Sequence, residues 1–292
     1  MTPKRILVAQ RVAVVVLLLQ LGVATTTGQK QSYNKQRVTY RNGGLTLVGF
    51  VYKPEGPGPF PTVIWNHGSE RNPADGPQFD SVAEVFVPAG YAVFAPTRRG
   101  HGASEGIYIS DVLNAPRRDG IETRGSIMVR LLETEQLEDQ FAGISYAKSL
   151  SFVDQSRMVV AGCSFGGIET LLAAERDGTF KAAFPISPAA QTWERNPEIR
   201  DRLIAAVRQI TIPVLLIQPP KDDSLGPARV LGEEARRARK TSFTAKVYPP
   251  TMPANEQVHC FGGAKGMHNW EAEAVAFFDG VLGRRDGATP KR

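Results

Sequence analysis

The sequence predicts an α/β protein built on a mostly parallel sheet with helices on both faces. Short apolar runs rich in β-branched residues alternate with helix-forming segments along most of the 292 residues. The first two runs, Arg37–Tyr40 and Thr46–Lys53, flank the turn sequence Arg41-Asn42-Gly43-Gly44. We therefore expect the sheet to begin with an antiparallel hairpin. No repeat of about 20–50 residues is visible, so we do not expect a repeat architecture.

The other elements follow in strand–helix order. Each predicted strand is a short apolar run, as expected for a strand buried on both faces: Thr62–Asn66, Tyr91–Ala95, Arg157–Ala161, Lys181–Ile186, Pro213–Gln218 and Thr244–Tyr248. The predicted helices between and after them are Phe79–Ala89, Leu137–Leu150, Gly167–Arg176, Trp193–Gln209, Pro227–Lys240 and Trp270–Leu282. The segment Thr97–Arg130 has few periodic signals and is too long for a simple connection. We expect it to lie over one end of the sheet.

The composition and the absence of a linker favour one globular domain without nucleic-acid partners. The chain is 42% hydrophobic and 22% charged, with a formal charge of +6. Its basic residues are scattered among acidic ones rather than clustered on one element, so we expect no nucleic-acid binding. The two cysteines form no metal-binding spacing, and we expect neither a metal nor another cofactor. The oligomeric state is left open.

The N-terminus reads as a secretory signal peptide over residues 1–24. Basic residues precede the apolar run Val12–Leu19, and the small residues of Gly22-Val23-Ala24 follow. The run is shorter than the ~20 residues of a spanning helix. We expect a secreted or periplasmic protein without stable membrane insertion after cleavage; an uncleaved membrane anchor is the alternative. Residues 25–36 are predicted to be a disordered lead-in, 37–283 the catalytic domain and 284–292 a flexible tail.

The most informative motif in the sequence is Gly162-Cys163-Ser164-Phe165-Gly166. It has the pattern G-x-S-x-G and lies between a predicted strand and a predicted helix. A strand, a sharp turn through serine and a helix form a nucleophile elbow, in which glycines permit the strained turn and close packing. We therefore predict that Ser164 is a catalytic nucleophile rather than a structural serine at a helix N-terminus.

A serine nucleophile needs a base, and the base needs an orienting acid. In this kind of sheet the acid follows a later strand than the serine. Asp222 and Asp223 both follow the strand Pro213–Gln218. We favour Asp222, four residues beyond Gln218. Asp223 is the alternative acid or a helix cap, and both could instead belong to a solvated loop.

The base should be a histidine before the last helix. The chain has four histidines, of which His67 and His101 precede Ser164 and so fail the expected order. His259 lies in the long loop after Thr244–Tyr248, from which it can reach back over the strand ends. His268 lies two residues before Trp270 and reads as a helix-start or surface residue. We predict His259 as the base.

The oxyanion of an acyl-transfer reaction needs two preorganised backbone donors. One should be the N–H of Phe165, directly after the nucleophile. The other should come from the loop after Thr62–Asn66, where Gly68 permits a tight turn and the N–H of Ser69 is the candidate donor. His67 in the same loop is expected to be structural.

From about Val38 to Leu282, the chain resembles the α/β-hydrolase superfamily, and within it dienelactone-hydrolase-like serine hydrolases. The motifs that carry the resemblance are Trp65-Asn66-His67-Gly68, Arg98-Arg99-Gly100-His101-Gly102-Ala103-Ser104, Gly162–Gly167, Gln218–Pro227 and Val258-His259-Cys260-Phe261 followed by Trp270. The resemblance implies the eight-stranded-type sheet of this fold, with Asp222 as acid and His259 as base. The chain departs from the usual pattern of these hydrolases at Val258, Cys260 and Pro219, which replace glycines. It also has a serine where classical dienelactone hydrolases have a cysteine nucleophile.

Cys163 and Cys260 are the only cysteines, and each is adjacent to a predicted catalytic residue. Export would permit a disulfide between them. The alternative, which we favour, is two small buried thiols. As the neighbour of the nucleophile, Cys163 should point away from the site.

The sequence therefore predicts a secreted serine hydrolase that cleaves carboxylic esters of small molecules. A prolyl-oligopeptidase-like peptidase is the first alternative, although such enzymes carry a large gating domain for which 292 residues leave no room. A secreted binding protein that kept the fold and lost the chemistry is the second. Nothing in the segments expected to form the acyl pocket, Thr97–Arg130 and Ala189–Arg208, specifies the substrate.

Overall fold

One sheet of eight strands organises the residues described by the computed structural model, which are 35–115 and 122–283. The predicted signal peptide, most of the lead-in and the C-terminal tail lie outside these residues. The strands are β1 Gln36–Asn42, β2 Leu45–Tyr52, β3 Phe60–Asn66, β4 Ala92–Thr97, β5 Val153–Cys163, β6 Phe180–Ile186, β7 Val214–Gln218 and β8 Phe243–Val247.

The strand order is β1-β2-β4-β3-β5-β6-β7-β8. The first hairpin is antiparallel, with Tyr40 opposite Leu47, and β2 also pairs antiparallel with β4. All remaining pairs are parallel. The carboxyl ends of β3 to β8 therefore meet at one edge of the sheet, where a parallel sheet places its ligand and catalytic loops.

Helices cover both faces of the sheet, which confirms the predicted fold class. They are α1 Gln78–Phe86, α2 Ile109–Asn114, α3 Arg124–Leu131, α4 Leu137–Ser149, α5 Phe165–Arg176, α6 Pro197–Gln209, α7 Gly232–Arg237 and α8 Glu271–Val281. Helices α1 and α8 pack on one face, where the rings of Trp65 and Trp270 stack with centroids 6.3 Å apart. Helices α3 to α6 pack on the other face around Ile168, Leu172 and Leu203.

Two sequence predictions differ from the structure. The helix predicted over Trp193–Gln209 begins only at Pro197, because the Asn196 side chain caps it by accepting the Ile199 N–H at 3.1 Å. Pro197 occupies the first turn, where its missing N–H costs nothing. The segment Thr97–Arg130 contains the short helix α2 and the start of α3. Helix α2 has six residues, too few for a clear periodic pattern, whereas α3 continues through a π-helical turn, Leu132–Gln136, into α4.

Within residues 35–115 and 122–283, none of the helices combines the length and apolar character that crossing a bilayer requires.

Candidate active site

Ser164 lies at a strained turn between β5 and α5. Its backbone angles are φ 60° and ψ −119°, a left-handed conformation that non-glycine residues rarely adopt. Hydrogen bonds hold this turn: the Ser164 N–H donates to Ile186 O at 2.9 Å, and the N–H of Gly167 donates to Ser164 O at 3.0 Å. The strand, the turn and the helix together have the geometry of a nucleophile elbow.

The two glycines of the elbow permit close packing against β3. A Cβ atom at Gly162 would lie 2.6 Å from Asn66 O, and a Cβ at Gly166 would also collide with the backbone of Asn66. Any side chain at either position would push the elbow away from the end of β3. The sequence pattern therefore reflects steric demands of this turn and of the loop that begins at His67.

Asp222 and His259 form an acid–base pair. His259 Nδ1 lies 2.7 Å from Asp222 Oδ1, and the Asp222 side chain is fully buried. Gln218 Nε2 donates to Asp222 Oδ2 at 2.8 Å, and the N–H of Asp223 donates to Asp222 Oδ1 at 2.9 Å. These donors fix the carboxylate so that it can orient the imidazole. His259 Nε2 is buried and has no hydrogen-bond partner among the described residues, so it is available to a reacting group.

The alternative acid and the alternative base lie elsewhere. Asp223 Oδ2 is 3.9 Å from His259 Nδ1, beyond hydrogen-bond reach, and the Asp223 side chain is 51% exposed. His268 is 57% exposed, with its Nε2 3.2 Å from Glu256 Oε2. The structure thus brings Asp222 and His259 together and leaves Asp223 and His268 outside the pair.

A disulfide between Cys163 and Cys260 connects the segment of Ser164 to the segment of His259. Its two Cα atoms are 6.1 Å apart, and it joins the residue before Ser164 to the residue after His259. The sequence favoured two free buried thiols while allowing a bridge, and the structure contains the bridge. Cys260 and Phe261 have positive φ angles of 53° and 56°, which are strained for non-glycine residues. The bridge and the complete burial of Phe261 hold this strained segment in place.

We expect reduction of this disulfide to lower both stability and activity. The bridge closes a loop of 97 residues, for which the loop-entropy argument gives about 4–5 kcal/mol. At about 2–4 °C per kcal/mol, the Tm should fall by roughly 10 °C or more. Turnover should also fall at temperatures where the reduced protein is folded, because His259 is no longer held near Ser164. Thermal unfolding and ester turnover with and without dithiothreitol check this.

The double variant Cys163→Ala/Cys260→Ala is the matched control. It should unfold at the temperature of the reduced protein and should not respond to dithiothreitol. An unchanged Tm and turnover after complete reduction, verified by thiol titration, would contradict a positioning role for the bridge.

Two backbone N–H groups are free to bind an oxyanion. Neither the N–H of Ser69 nor that of Phe165 has an acceptor within the described residues. Phe165 opens α5, and the first N–H groups of a helix have no partner within the helix. Both residues line the pocket that contains Ser164. These are the two donors predicted from the sequence.

His67 and His101 are buried and neutral. The backbone N–H of Arg98 donates to His67 Nε2 at 3.3 Å, which assigns the proton to Nδ1, and Nδ1 donates to Gly68 O at 2.9 Å. Burial, followed by the charge of Arg98, lowers the pKa of His67 well below its usual range. Burial likewise lowers the pKa of His101 to about 3. Both histidines hold loops in place, as expected for His67.

Sequence reasoning did not foresee the burial of two ionisable residues behind the site. Arg98 is 2% exposed, and Glu169 on α5 is completely buried with no hydrogen-bond partner among the described residues. Burial raises the pKa of Glu169 to about 8. The helical period could not have revealed Glu169, because α5 is buried on all sides from Phe165 to Ala174. No local sequence pattern indicated that Arg98 is buried.

The pocket beside Ser164 has a volume of about 140 Å³. Its apolar lining comes mainly from Ile109, Leu113, Met128, Phe165 and Ile168. Polar groups of the lining include the exposed side chain of Arg124. A cavity of about 150 Å³ accommodates benzene. The pocket thus has room for a small acyl or aromatic group, and a carboxylate on that group would meet a cation.

One group of side chains within the described residues has a metal-ligand composition, namely Asp222, Asp223 and His259. A metal bound there would compete for His259 Nδ1, which lies 2.7 Å from Asp222 Oδ1. These residues fit the acid–base pair of a triad better than a metal centre. We derive no step through a metal.

Comparison with known proteins agrees with this geometry. The prolyl oligopeptidase family (peptidase S9) matches residues 126–199, which include the elbow. Among curated proteins, the quorum-quenching protein AidA of Acinetobacter baumannii is 30% identical over 152 residues, which are 52% of this chain and 43% of that protein. The chain spans less than half the length of the curated relatives it matches.

Solved structures give longer matches at lower identity. The esterase PF2001 of Pyrococcus furiosus has a TM-score of 0.64 and 15% identity, covering 86% of this chain and 92% of that one. The acylaminoacyl peptidase of Pyrococcus horikoshii has a TM-score of 0.62 and 15% identity, covering 86% of this chain and 42% of that one. The chain has the α/β-hydrolase fold, and its similarities support a serine hydrolase of that superfamily.

Proposed function

We propose that the protein is a secreted serine hydrolase that cleaves carboxylic esters through an acyl-enzyme. The observation that carries this proposal is the 2.7 Å contact between His259 Nδ1 and the buried carboxylate of Asp222, combined with an unpartnered His259 Nε2. The disulfide joins this histidine segment to the residue before Ser164. Ser164, Asp222 and His259 follow the strands β5, β7 and β8, so all three lie at the carboxyl edge of the sheet.

The proposed reaction has two halves. Ser164 Oγ attacks the ester carbonyl while His259 Nε2 takes its proton, and the N–H groups of Ser69 and Phe165 stabilise the oxyanion. His259 then gives the proton to the departing alcohol, leaving an acyl group on Ser164. Water, activated by His259, releases the carboxylic acid. Asp222 stays ionised throughout, orients the imidazole and stabilises its protonated form.

Ester cleavage is favoured over peptide cleavage by the size of the pocket beside Ser164, whose volume is about 140 Å³. A pocket of this size suits a short acyl group better than a peptide. The match to the prolyl oligopeptidase family keeps a serine peptidase as the second candidate function. The narrower dienelactone-hydrolase-like assignment stays a prediction from the motifs.

We expect short esters to be the best substrates. In a series of p-nitrophenyl esters and matched p-nitroanilides, kcat/KM should peak at acyl chains of about two to six carbons, because the pocket is of roughly benzene size. It should fall at least about tenfold for a twelve-carbon chain, and each anilide should react at least about a hundredfold more slowly than its ester. Each chain is measured with and without a terminal carboxylate, since Arg124 lines the pocket.

The series also separates the alternatives. Faster cleavage of aminoacyl or peptidyl amides than of simple esters would establish the peptidase. If folded protein fails to react with a fluorophosphonate at Ser164, the fold serves a binding function instead.

Export remains part of the proposal. Disulfides persist in oxidising compartments and are rare in the cytosol, so the Cys163–Cys260 bridge supports secretion. The signal-like sequence over residues 1–24 points the same way. N-terminal sequencing of the exported protein tests both, and a retained N-terminus in a membrane fraction would favour the anchor.

A further inference from the structure

Arg98 lies directly after β4, at the back of the loop that supplies one oxyanion donor. Its guanidinium is buried and donates to two carbonyl oxygens of that loop. Nη1 and Nη2 lie 3.1 Å and 3.0 Å from His67 O, and Nη2 lies 2.7 Å from Gly68 O. Hydrogen bonds from a charged donor are about twice as strong as neutral ones.

The bond to Gly68 O determines the direction of the Ser69 N–H. Gly68 C=O and Ser69 N–H belong to the same peptide unit, which is planar and trans, so the two groups point in opposite directions. An anchor on Gly68 O therefore aims the Ser69 N–H away from Arg98. A cation on the oxygen also polarises the unit and strengthens the N–H as a donor. The Ser69 N–H has no acceptor within the described residues, and Ser69 lines the pocket that contains Ser164.

The same guanidinium reaches the second oxyanion donor. Its Cζ lies 4.7 Å from the centroid of the Phe165 ring, within the range of a cation–π contact. Phe165 carries the other free N–H. Arg98 thus touches both segments that supply oxyanion donors, which come from β3 and β5. The nearby carboxylates of Glu70 and Asp139 offset its buried charge.

We infer that Arg98 is a positioning residue that aims and polarises the Ser69 N–H and holds it in register with Phe165. Arg98 touches no reacting atom and acts through the Gly68–Ser69 peptide and the Phe165 ring. The inference rests on the oxyanion hole of the proposed function, but not on the choice between ester and amide. The Tyr108 hydroxyl, which donates to Ser69 O, fixes the residue from its other side.

The test compares Arg98→Lys with Arg99→Lys. Lysine keeps the charge at position 98 but cannot donate to two carbonyls and stack on Phe165 with one planar group. Arg99 is the matched control, since its guanidinium binds Asp139 and is not bonded to His67, Gly68 or Ser69. The readout is the second-order rate constant for labelling Ser164 with a fluorophosphonate, whose P=O oxygen occupies the oxyanion hole. Labelling is normalised to folded protein by near-UV circular dichroism.

Arg98→Lys should slow labelling about a hundredfold, as expected for loss of one oxyanion donor, while Arg99→Lys stays within about threefold of wild type. With an ester substrate, the loss should fall on kcat and leave KM within about twofold. A merely structural role would lower the Tm of both variants without slowing labelling of folded Arg98→Lys, and that result overturns the inference. If Arg98→Lys does not fold, Arg98→Met, which fills much of the same space but has no donor for Gly68 O, replaces it with the same criteria.

The outcome separates the inference from the proposed function. Slow labelling of Arg98→Lys in a protein that cleaves amides rather than esters would keep the inference and reject the ester hydrolase. If the wild type cleaves esters and Arg98→Lys is labelled at the normal rate, the ester hydrolase is kept and the inference about Arg98 is rejected.

Discussion

Replacing Ser164 with alanine is expected to reduce ester turnover by at least about 10⁴-fold, since loss of a triad serine costs up to about 10⁶-fold in kcat. The variant removes the only side chain that can form the acyl-enzyme in the proposed mechanism. Residual rate enhancement would come from the oxyanion donors and from substrate binding. Turnover of a short p-nitrophenyl ester measures the effect.

Folding should survive this change. Ser164 Oγ makes no hydrogen bond to another described residue, while the backbone bonds to Ile186 and Gly167 that hold the turn are independent of the side chain. Alanine must adopt the same φ of 60°, as serine does. We expect an unchanged circular dichroism spectrum and a Tm within a few degrees of wild type. Ester turnover near the wild-type rate in folded Ser164→Ala would reject the mechanism.

The second large effect is expected from His259→Ala, with His268→Ala as its matched control. His259 is the described histidine that contacts Asp222, so its loss removes both the general base and the general acid. Loss of the triad histidine alone costs about as much as loss of the whole triad, up to about 10⁶-fold in kcat. His268 is 57% exposed and contacts Glu256 and the carbonyl of Lys265, so its removal should change kcat less than about threefold.

Comparing the two histidine variants can also contradict the assignment of His259 as the base. If His268→Ala abolishes turnover and His259→Ala does not, the base assignment is wrong. Asp222 would then lose its role as well, because its carboxylate is bonded to His259 rather than to His268. Measuring kcat in both variants on the same ester, with Tm as a check on folding, decides between them.

Much of the candidate site could be predicted because its side chains follow recognisable strands. Ser164 comes directly after β5, and Asp222 lies four residues beyond the end of β7. Strand and helix patterns are local, so they can be found in a single sequence. Once the strands are parallel, their carboxyl ends share one edge of the sheet, and residues far apart in the chain are expected to meet there.

Other features depended on contacts that no local pattern encodes. Asp222 and Asp223 are neighbours of the same type, and only the fold buries one carboxylate and exposes the other. Arg98 and Arg99 likewise read as a basic pair in an irregular loop. In the structure, Arg98 binds the loop that contains Gly68 and Ser69, and Arg99 binds Asp139.

The start of α6 at Pro197, by contrast, could have been predicted from a local pattern. Asn196 is the N-cap and proline stands in the first turn.

The sequence by itself determined the fold class, the nucleophile elbow and the type of residue that should serve as acid and base. These depend on hydrophobic periodicity, on steric demands for glycine and on order along the chain, all of which are local or one-dimensional. The tertiary structure decided the pairing of Cys163 with Cys260, the burial of Glu169 and the place of Arg98 behind the oxyanion donors. These depend on distances between segments, which are set when the sheet and its loops pack together.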